Sequence, residues 1–312
     1  MQAHDTDVPQ VSPLKTILHR IEVPDETGAQ HNPSVCVMDN ELRVVVRVLN
    51  DRNTTNYVAS VSRDWSLREI SRVDSSLFGQ GNLRGFTQVE DLRLIHWQDH
   101  LWALAAVHDG RPTAIRQALV EIDKTGTAIV AAHVQHSVRH EKNWMPFVDE
   151  GCLRLVYSTD PLIVSTIDGA YRAVPGAPLT HQSLGHVRGG SQLVPWYGGW
   201  LGIVHQVYRP LLVTPGHNRM LSDFWIAPSP SPVSGHAKVV YIHRFALFDR
   251  AFTEVALGAP WYWKIPGIEF CAGLAKWHDR LVAGFGVVDK EAWLAEIEDE
   301  TVWATFPDPE GL

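Results

Sequence analysis

Cysteine is scarce in this chain: Cys36, Cys152 and Cys271 are the only three in 312 residues. The count is odd and no CxxC spacing occurs, which excludes a disulfide framework and a zinc ribbon. Buried free thiols in a reducing compartment, the cytoplasm, are the expectation. Also missing is any apolar run of 18 residues, so no helical membrane span is expected. The polar opening segment, residues 1–10, carries no apolar core of the kind a secretory signal needs. Basic residues never form a run, and the net charge is −8. That balance argues against nucleic acid or an anionic membrane as a partner. No P-loop, GxGxxG or GxSxG occurs, and spacing alone picks out no Ser–His–Asp set. Helix signals are few. The best is residues 289–298, which reads equally as a final strand.

What the chain has instead is a recurring unit. Segments starting at Ser34, Arg93, Met145, Ser191 and Gly273 each read as a short apolar strand, a polar turn and a strand of nearly continuous apolar residues. A tryptophan precedes the turn in three of them, at Trp97, Trp196 and Trp277. Ordered self-similarity of this length marks stacked supersecondary units, and with hairpins as the unit the closed form is a β-propeller. The expected fold is all-β, a five-bladed β-propeller over residues 13–312 preceded by a flexible tail, 1–12. Residues 16–23 alternate as a strand and are expected to close the ring against the last repeat. Residues 214–236, rich in proline, serine and glycine, are too long for a turn and read as a loop over the pocket or a passive excursion.

Polar clusters recur just before the first strand of each unit: His31-Asn32-Pro33-Ser34, Val89-Glu90-Asp91-Leu92-Arg93, His140-Glu141-Lys142-Asn143 and Val187-Arg188-Gly189-Gly190, with Gly267-Ile268-Glu269 ahead of the last. In a propeller those positions face the axis. Charges there must pair or face a wet pocket. Glu90 and Asp91 fit a general acid or a grip on sugar hydroxyls, and they fit equally an Asp91–Arg93 or Glu90–Lys142 brace between blades. Adjacent strand residues point to opposite faces, so only one of the two should meet a ligand. Lys142 with Asn143 is a cationic candidate or a solvated strand start. Arg188 precedes two glycines that would let backbone approach a ligand, or simply form a turn. His205 ends an apolar strand and reads as a ligand contact or a satisfied core residue. Asp289 reads as a site residue or a helix N-cap. His133, His136 and His140 have a suggestive spacing, but nothing completes a metal set.

Taken in order, these clusters resemble glycoside hydrolase family 130, the β-mannoside phosphorylases and hydrolases and their mannosyltransferase relatives. The resemblance is carried by Asn32-Pro33 with Arg47, by Val89 to Arg93, by Glu141-Lys142-Asn143 with Pro146-Phe147, by Gly199 to Gln206 and by Ala283 to Asp289. Leu92 stands where the family has proline, Glu141 and Asn143 stand where it has two aspartates, and His205 lacks the neighbouring Tyr and Gly. The resemblance implies a five-bladed propeller and an inverting enzyme that cleaves or forms a glycosidic bond. It implies Asp91 as the acid, Arg93, Lys142 and His205 as contacts to phosphate or to the sugar in the first subsite, and Asp289 as a sugar-hydroxyl ligand; Asn32, Arg47, Glu90, Glu141, Asn143, Arg188 and Glu269 complete the expected substrate-binding set. It implies no cofactor; inorganic phosphate would be a co-substrate, and a carbohydrate or sugar phosphate the partner. Phosphorolysis needs several cations around one oxyanion, for which Lys142 and Arg188 are available. Hydrolysis needs a second carboxylate, such as Glu141 or Glu269. A glycosyltransferase with a nucleotide- or phospho-sugar donor, a silent sugar-binding propeller and a scaffold for protein partners are the alternatives.

Overall fold

The computed structural model describes residues 11–307 except 52, 87, 109–114, 136–142, 160, 180–186 and 209–239. Residues 214–236, Glu141 and Lys142 therefore lie outside the described residues. Among the described residues the chain is all-β apart from a 3-10 turn at Gly81–Leu83 and a short helix at Asp299–Trp303. No helix among the described residues is long and apolar enough to cross a membrane.

The strands form antiparallel sheets in chain order. Sheet I holds Ala29–Met38, Glu41–Asn50, Asn53–Val61 and Leu67–Arg72. Sheet II holds Gln88–Trp97, His100–His108, Ile115–Ile122 and Ile129–Val134. Sheet III holds Met145–Asp149, Cys152–Thr159, Leu162–Ile167 and Ala173–Pro178. Sheet V holds Glu269–Trp277, Arg280–Val287 and Glu291–Ile297, and its outer strand is Ile17–Ile21 from the start of the chain. That pairing joins the two ends of the described chain in one sheet, which is the expected closure. Residues 291–297 are a strand because every other position, Ala292, Leu294 and on the other phase Ala295 and Ile297, is buried across the adjoining strand.

The expectation of five blades is corrected by sheet IV. Four sheets are four-stranded blades, and the remaining one has seven strands. Its inner edge is broken into Val187–Gly189 and Val194–Trp196, both paired with Gly199–Tyr208. Beyond Val240–Phe248 the outer edge is likewise split, into Val255–Leu257 and Trp261–Tyr262. Ser12–Pro13 adds a parallel pair to Trp261–Tyr262, so the expected tail of 1–12 is already paired at Ser12. The inner break falls at residues 190–193: Gly190 packs against Ile203 O where a side chain would clash, and Leu193 N turns to Pro146 O of sheet III, so the ladder does not run through. The result is an all-β, propeller-like fold with four regular blades.

The core is divided into wedges, each filled by two neighbouring sheets. Val45 and Val58 pack with Leu94 and Ala105 between sheets I and II. Leu104 and Leu119 pack with Leu153 and Leu155 between II and III. Val44 and Leu42 pack with Leu294 and Val282 between I and V. Polar bonds accompany each wedge. Ser34 Oγ accepts from Leu94 N at 3.0 Å, Thr159 Oγ1 donates to Val187 O at 2.8 Å, and Trp97 Nε1 donates to Gly151 O at 2.9 Å. Trp277 Nε1 points in the same way at Asn40 O, 3.4 Å away. The recurring tryptophan is thus a clamp from the end of one inner strand to the turn of the next sheet. In sheet IV the clamp fails, and the buried Trp196 Nε1 has no hydrogen-bond partner among the described residues.

Gln192 closes the axis. Its Nε2 donates to Val35 O in sheet I and, at 3.3 Å, to Leu94 O in sheet II, and its Oε1 accepts from Leu274 N in sheet V at 3.1 Å. Gln192→Leu keeps the volume and orphans three buried backbone groups, so it should cost about 2–4 kcal/mol. Trp97→Phe loses one bond and should cost about 1 kcal/mol. Urea unfolding of both variants tests this order, and equal midpoints for Gln192→Leu and wild type would remove the axial pin.

Candidate functional site

A cavity of about 720 Å³ opens at the end of the axis where the inner strands begin. Its walls include Asn32 and Arg47 from sheet I, Glu90 and Asp91 from sheet II, Asn143 ahead of sheet III, Arg188 and His205 from sheet IV, and Asp289 from the turn after Arg280–Val287. Eight of the sequence-derived residues are brought to one place.

Two β-bulges build the centre. In sheet I the pairing slips between His31 and Ser34, and in sheet II between Glu90 and Arg93. The residue after each first paired position, Asn32 with φ 49° and Asp91 with φ 52°, is left-handed. Asn and Asp tolerate that region where most side chains do not. A bulge places two consecutive residues opposite one and re-aims a side chain. This corrects the expectation that only one of Glu90 and Asp91 meets the pocket: both line it, because the strand does not alternate there.

Asp91 Oδ1 accepts from Asn32 Nδ2 and from Arg47 Nη1, each at 3.0 Å. Arg47 also forms an ion pair with Glu90, whose other oxygen lies 2.9 Å from His108 Nε2. The brace across these sheets is therefore Arg47 with both carboxylates. Of the two expected pairs, Asp91–Arg93 does not form among the described residues, and Glu90–Lys142 falls on a residue outside them.

Two expected contacts are elsewhere. Arg93 is 1% exposed and does not line the cavity; Nε donates to Gly190 O at 2.8 Å and Nη2 to Asn143 Oδ1 at 2.9 Å. Glu269 is fully buried and accepts from the amides of Trp263, Lys264 and Ile265 at 2.7–2.9 Å. It organises a loop and is not a ligand contact. The glycines beside Arg188 also have a different use. A Cβ on Gly189 would lie 2.0 Å from Asn143 O, and one on Gly190 would lie 2.5 Å from Ile203 O. The close approach is to neighbouring backbone. Asp289 caps no helix; it is an exposed, left-handed turn residue with φ 53°.

Sequence reasoning missed Tyr157, Ser158, Thr159, Tyr241 and Phe270, which also line the cavity. Ser158 is the seventh residue of the second strand of its hairpin, as Arg47 and His205 are of theirs, and that equivalence was the available signal. His133 stacks on Tyr171 at 4.3 Å, while His136 and His140 lie outside the described residues.

The described lining is not cationic. Two arginines face three carboxylates, and Arg47 is already paired. His205 is held well below its usual pKa by burial, then by His243, Arg93 and Arg188. It is neutral at pH 7. Burial and then Arg47 lower His31 also. Arg188 has no carboxylate partner among the described residues.

No family model matches this sequence, and no curated protein matches it. Solved structures do share the fold. One is a structure from the family 130 of mannoside phosphorylases, which contains glycoside hydrolases that target β-1,2 mannosidic linkages in Candida mannan. It is 13% identical, with a TM-score of 0.58 over 98% of this chain and 96% of that one. A β-1,2-mannobiose phosphorylase from Listeria innocua is 13% identical, with a TM-score of 0.56 over 95% of each chain. A mannose phosphorylase from Leishmania mexicana, solved with a phosphate ion, is 10% identical, with a TM-score of 0.56 over 93% and 89%.

The buried histidines make stability depend on pH. Burial pushes His243 down to about 3. An unfolded histidine binds a proton below about pH 6.5, and the folded His243 and His205 do not. The histidines' share of the stability is therefore complete above about pH 6.5 and falls on acidification. Each group contributes about 1.4 kcal/mol per pH unit between its two pKa values. Glu269 works the opposite way, since burial raises its pKa against three amide bonds. Its share is lost as pH rises from about 4.5 through the raised value. His243→Phe should flatten the slope between pH 6 and 4.5 by one proton in urea titrations; an unchanged slope would place that proton elsewhere.

Proposed function

We propose that the chain is a carbohydrate-active enzyme acting on a glycosidic bond in the axial pocket, with Asp91 as the acid. The observation that carries this reading is the paired bulges. They set an aspartate and its asparagine and arginine partners, from two sheets, in the wall of a blind pocket. The likeness of fold to mannoside-processing structures supports a β-mannoside as the substrate class. Protonated Asp91 would give its proton to the leaving oxygen as the bond from the anomeric carbon breaks, and a nucleophile would attack from the opposite face, with inversion.

The balance of two arginines against three carboxylates favours a neutral sugar over a dianion in most of the pocket. Arg188 is the described position best suited to an anion, so phosphate as nucleophile would sit on that side. For attack by water a second carboxylate must take the proton. Asp289 lines the cavity and fits that need, whereas the fully buried Glu269 does not.

Incubation with β-1,2-mannobiose, with and without inorganic phosphate, separates the routes: mannose 1-phosphate marks phosphorolysis and free mannose marks hydrolysis. Asp91→Asn keeps the shape and removes the proton, so turnover should fall by roughly 10²–10⁴ while sugar binding measured by calorimetry survives. Near-full turnover in that variant would reject Asp91 as the acid. Binding of mannosides by wild type with no cleavage under either condition would make the chain a sugar-binding module.

A further inference from the structure

Arg93 is the most deeply buried guanidinium among the described residues, and nothing in the proposed chemistry uses it. Its desolvation lowers its pKa, an effect that Asp91 only partly opposes. No carboxylate among the described residues lies within ion-pair distance of it. Burying a charge without an ionic partner is costly, and an aliphatic side chain would fill the space at less cost. The contacts show what the charge is for. Nε holds Gly190 O at 2.8 Å, Nη2 holds Asn143 Oδ1 at 2.9 Å, and the guanidinium carbon lies 5.5 Å from the centroid of Phe270. One rigid, planar group from sheet II thus grips the segment before sheet III and the inner edge of sheet IV, braced by sheet V.

We propose that Arg93 is a positioning residue that sets the width of the pocket between Asn143 and Arg188. Asn143 is left-handed, with φ 70°, and Gly189 packs its backbone directly against Asn143 O. Neither segment has a regular ladder partner across that seam: sheets III and IV are separate sheets, and the ladder of sheet III begins only at Met145. One backbone bond crosses the seam, from Leu193 N to Pro146 O at 2.9 Å; nearer the pocket the seam is held by side chains, Thr159 on Val187 O and Arg93, and Arg93 reaches both of its sides. Lysine could not replace it, because an ammonium on a flexible stem does not present two coplanar, diverging donors. The proposal rests on the sugar-processing reading for its effect on activity, but not for its effect on the seam.

Hydrogen exchange on the intact protein tests the seam without any substrate. In Arg93→Met and Arg93→Lys, amides in 143–149 and 187–193 should exchange about tenfold faster, while the inner strands of sheets I and V keep their protection. If Arg93→Met does not fold, Asn143→Ala removes one of the two grips, and 187–193 should still loosen. A folded Arg93→Met or Asn143→Ala with 187–193 unchanged overturns the proposal. If wild type cleaves mannosides, Arg93→Lys should lower kcat/KM by roughly 10–10². Combining it with Asn143→Ala should add little, because both break one unit. Full additivity, or lost activity with unchanged exchange, overturns it by making Arg93 a ligand contact. Faster exchange in a protein that never cleaves a mannoside supports the bracket and rejects only the sugar reading.

Discussion

The pocket exists because the axis is closed beneath it, and one side chain does most of the closing. Gln192 spans three other sheets from its place in sheet IV, through bonds to Val35, Leu94 and Leu274. The inner strands can converge this closely because their backbones meet nearly bare: a Cβ on Gly273 would lie 2.4 Å from Val35 N. Val35 and Leu94 each sit three positions after the bulge residues Asn32 and Asp91. The bulges are therefore anchored on their axial side and project on the other. A second, smaller cavity of about 310 Å³ lies at the far end of the inner strands, with Gln192 in its wall and not in that of the first. The candidate site is a blind pocket and not one mouth of a channel.

Carboxylates in this protein do different work according to what surrounds them. Glu269 meets three backbone amides and no solvent, so it acts as a tie for residues 263–265. Glu90 and Asp91 meet arginine and asparagine at the pocket wall and remain within reach of a ligand. Their burial is tolerable because Arg47 reaches both of them. The same accounting separates the arginines. Arg47 is balanced by two carboxylates, Arg93 is balanced only by neutral oxygens and an aromatic face, and Arg188 is exposed at the wall. That leaves His205 in a positive field within an apolar setting, and both influences keep it neutral.

Most of the strand framework was legible in the sequence, including the hairpin units, the closing strand at 17–21 and the common end at which polar clusters collect. Period-two alternation and apolar runs are local properties, and they survive being read without a structure. Asn32, Arg47, Glu90, Asp91, Asn143, Arg188, His205 and Asp289 were reachable because position within a repeat fixes position around an axis. Sheet IV was not legible, because its inner edge breaks at residues 190–193, where Leu193 N turns to Pro146 O of the neighbouring sheet, a choice no local pattern names. Arg93 and Glu269 were misplaced for a related reason. Their residue types fit a site, but which way each points depends on a bulge and on a loop whose amides need an acceptor.

The sequence by itself determined that this chain is a set of β-hairpins with polar residues gathered at one end of each. That information is carried by neighbours in the chain. Only the tertiary structure decided which charges face the pocket, which are buried as ties, and how many sheets are regular blades. The arginines' outcomes turn on contacts between residues 44 to 97 positions apart, such as Arg47 with Asp91 and Arg93 with Gly190. A buried charge is stable only beside a partner that the fold supplies, and no local pattern names that partner.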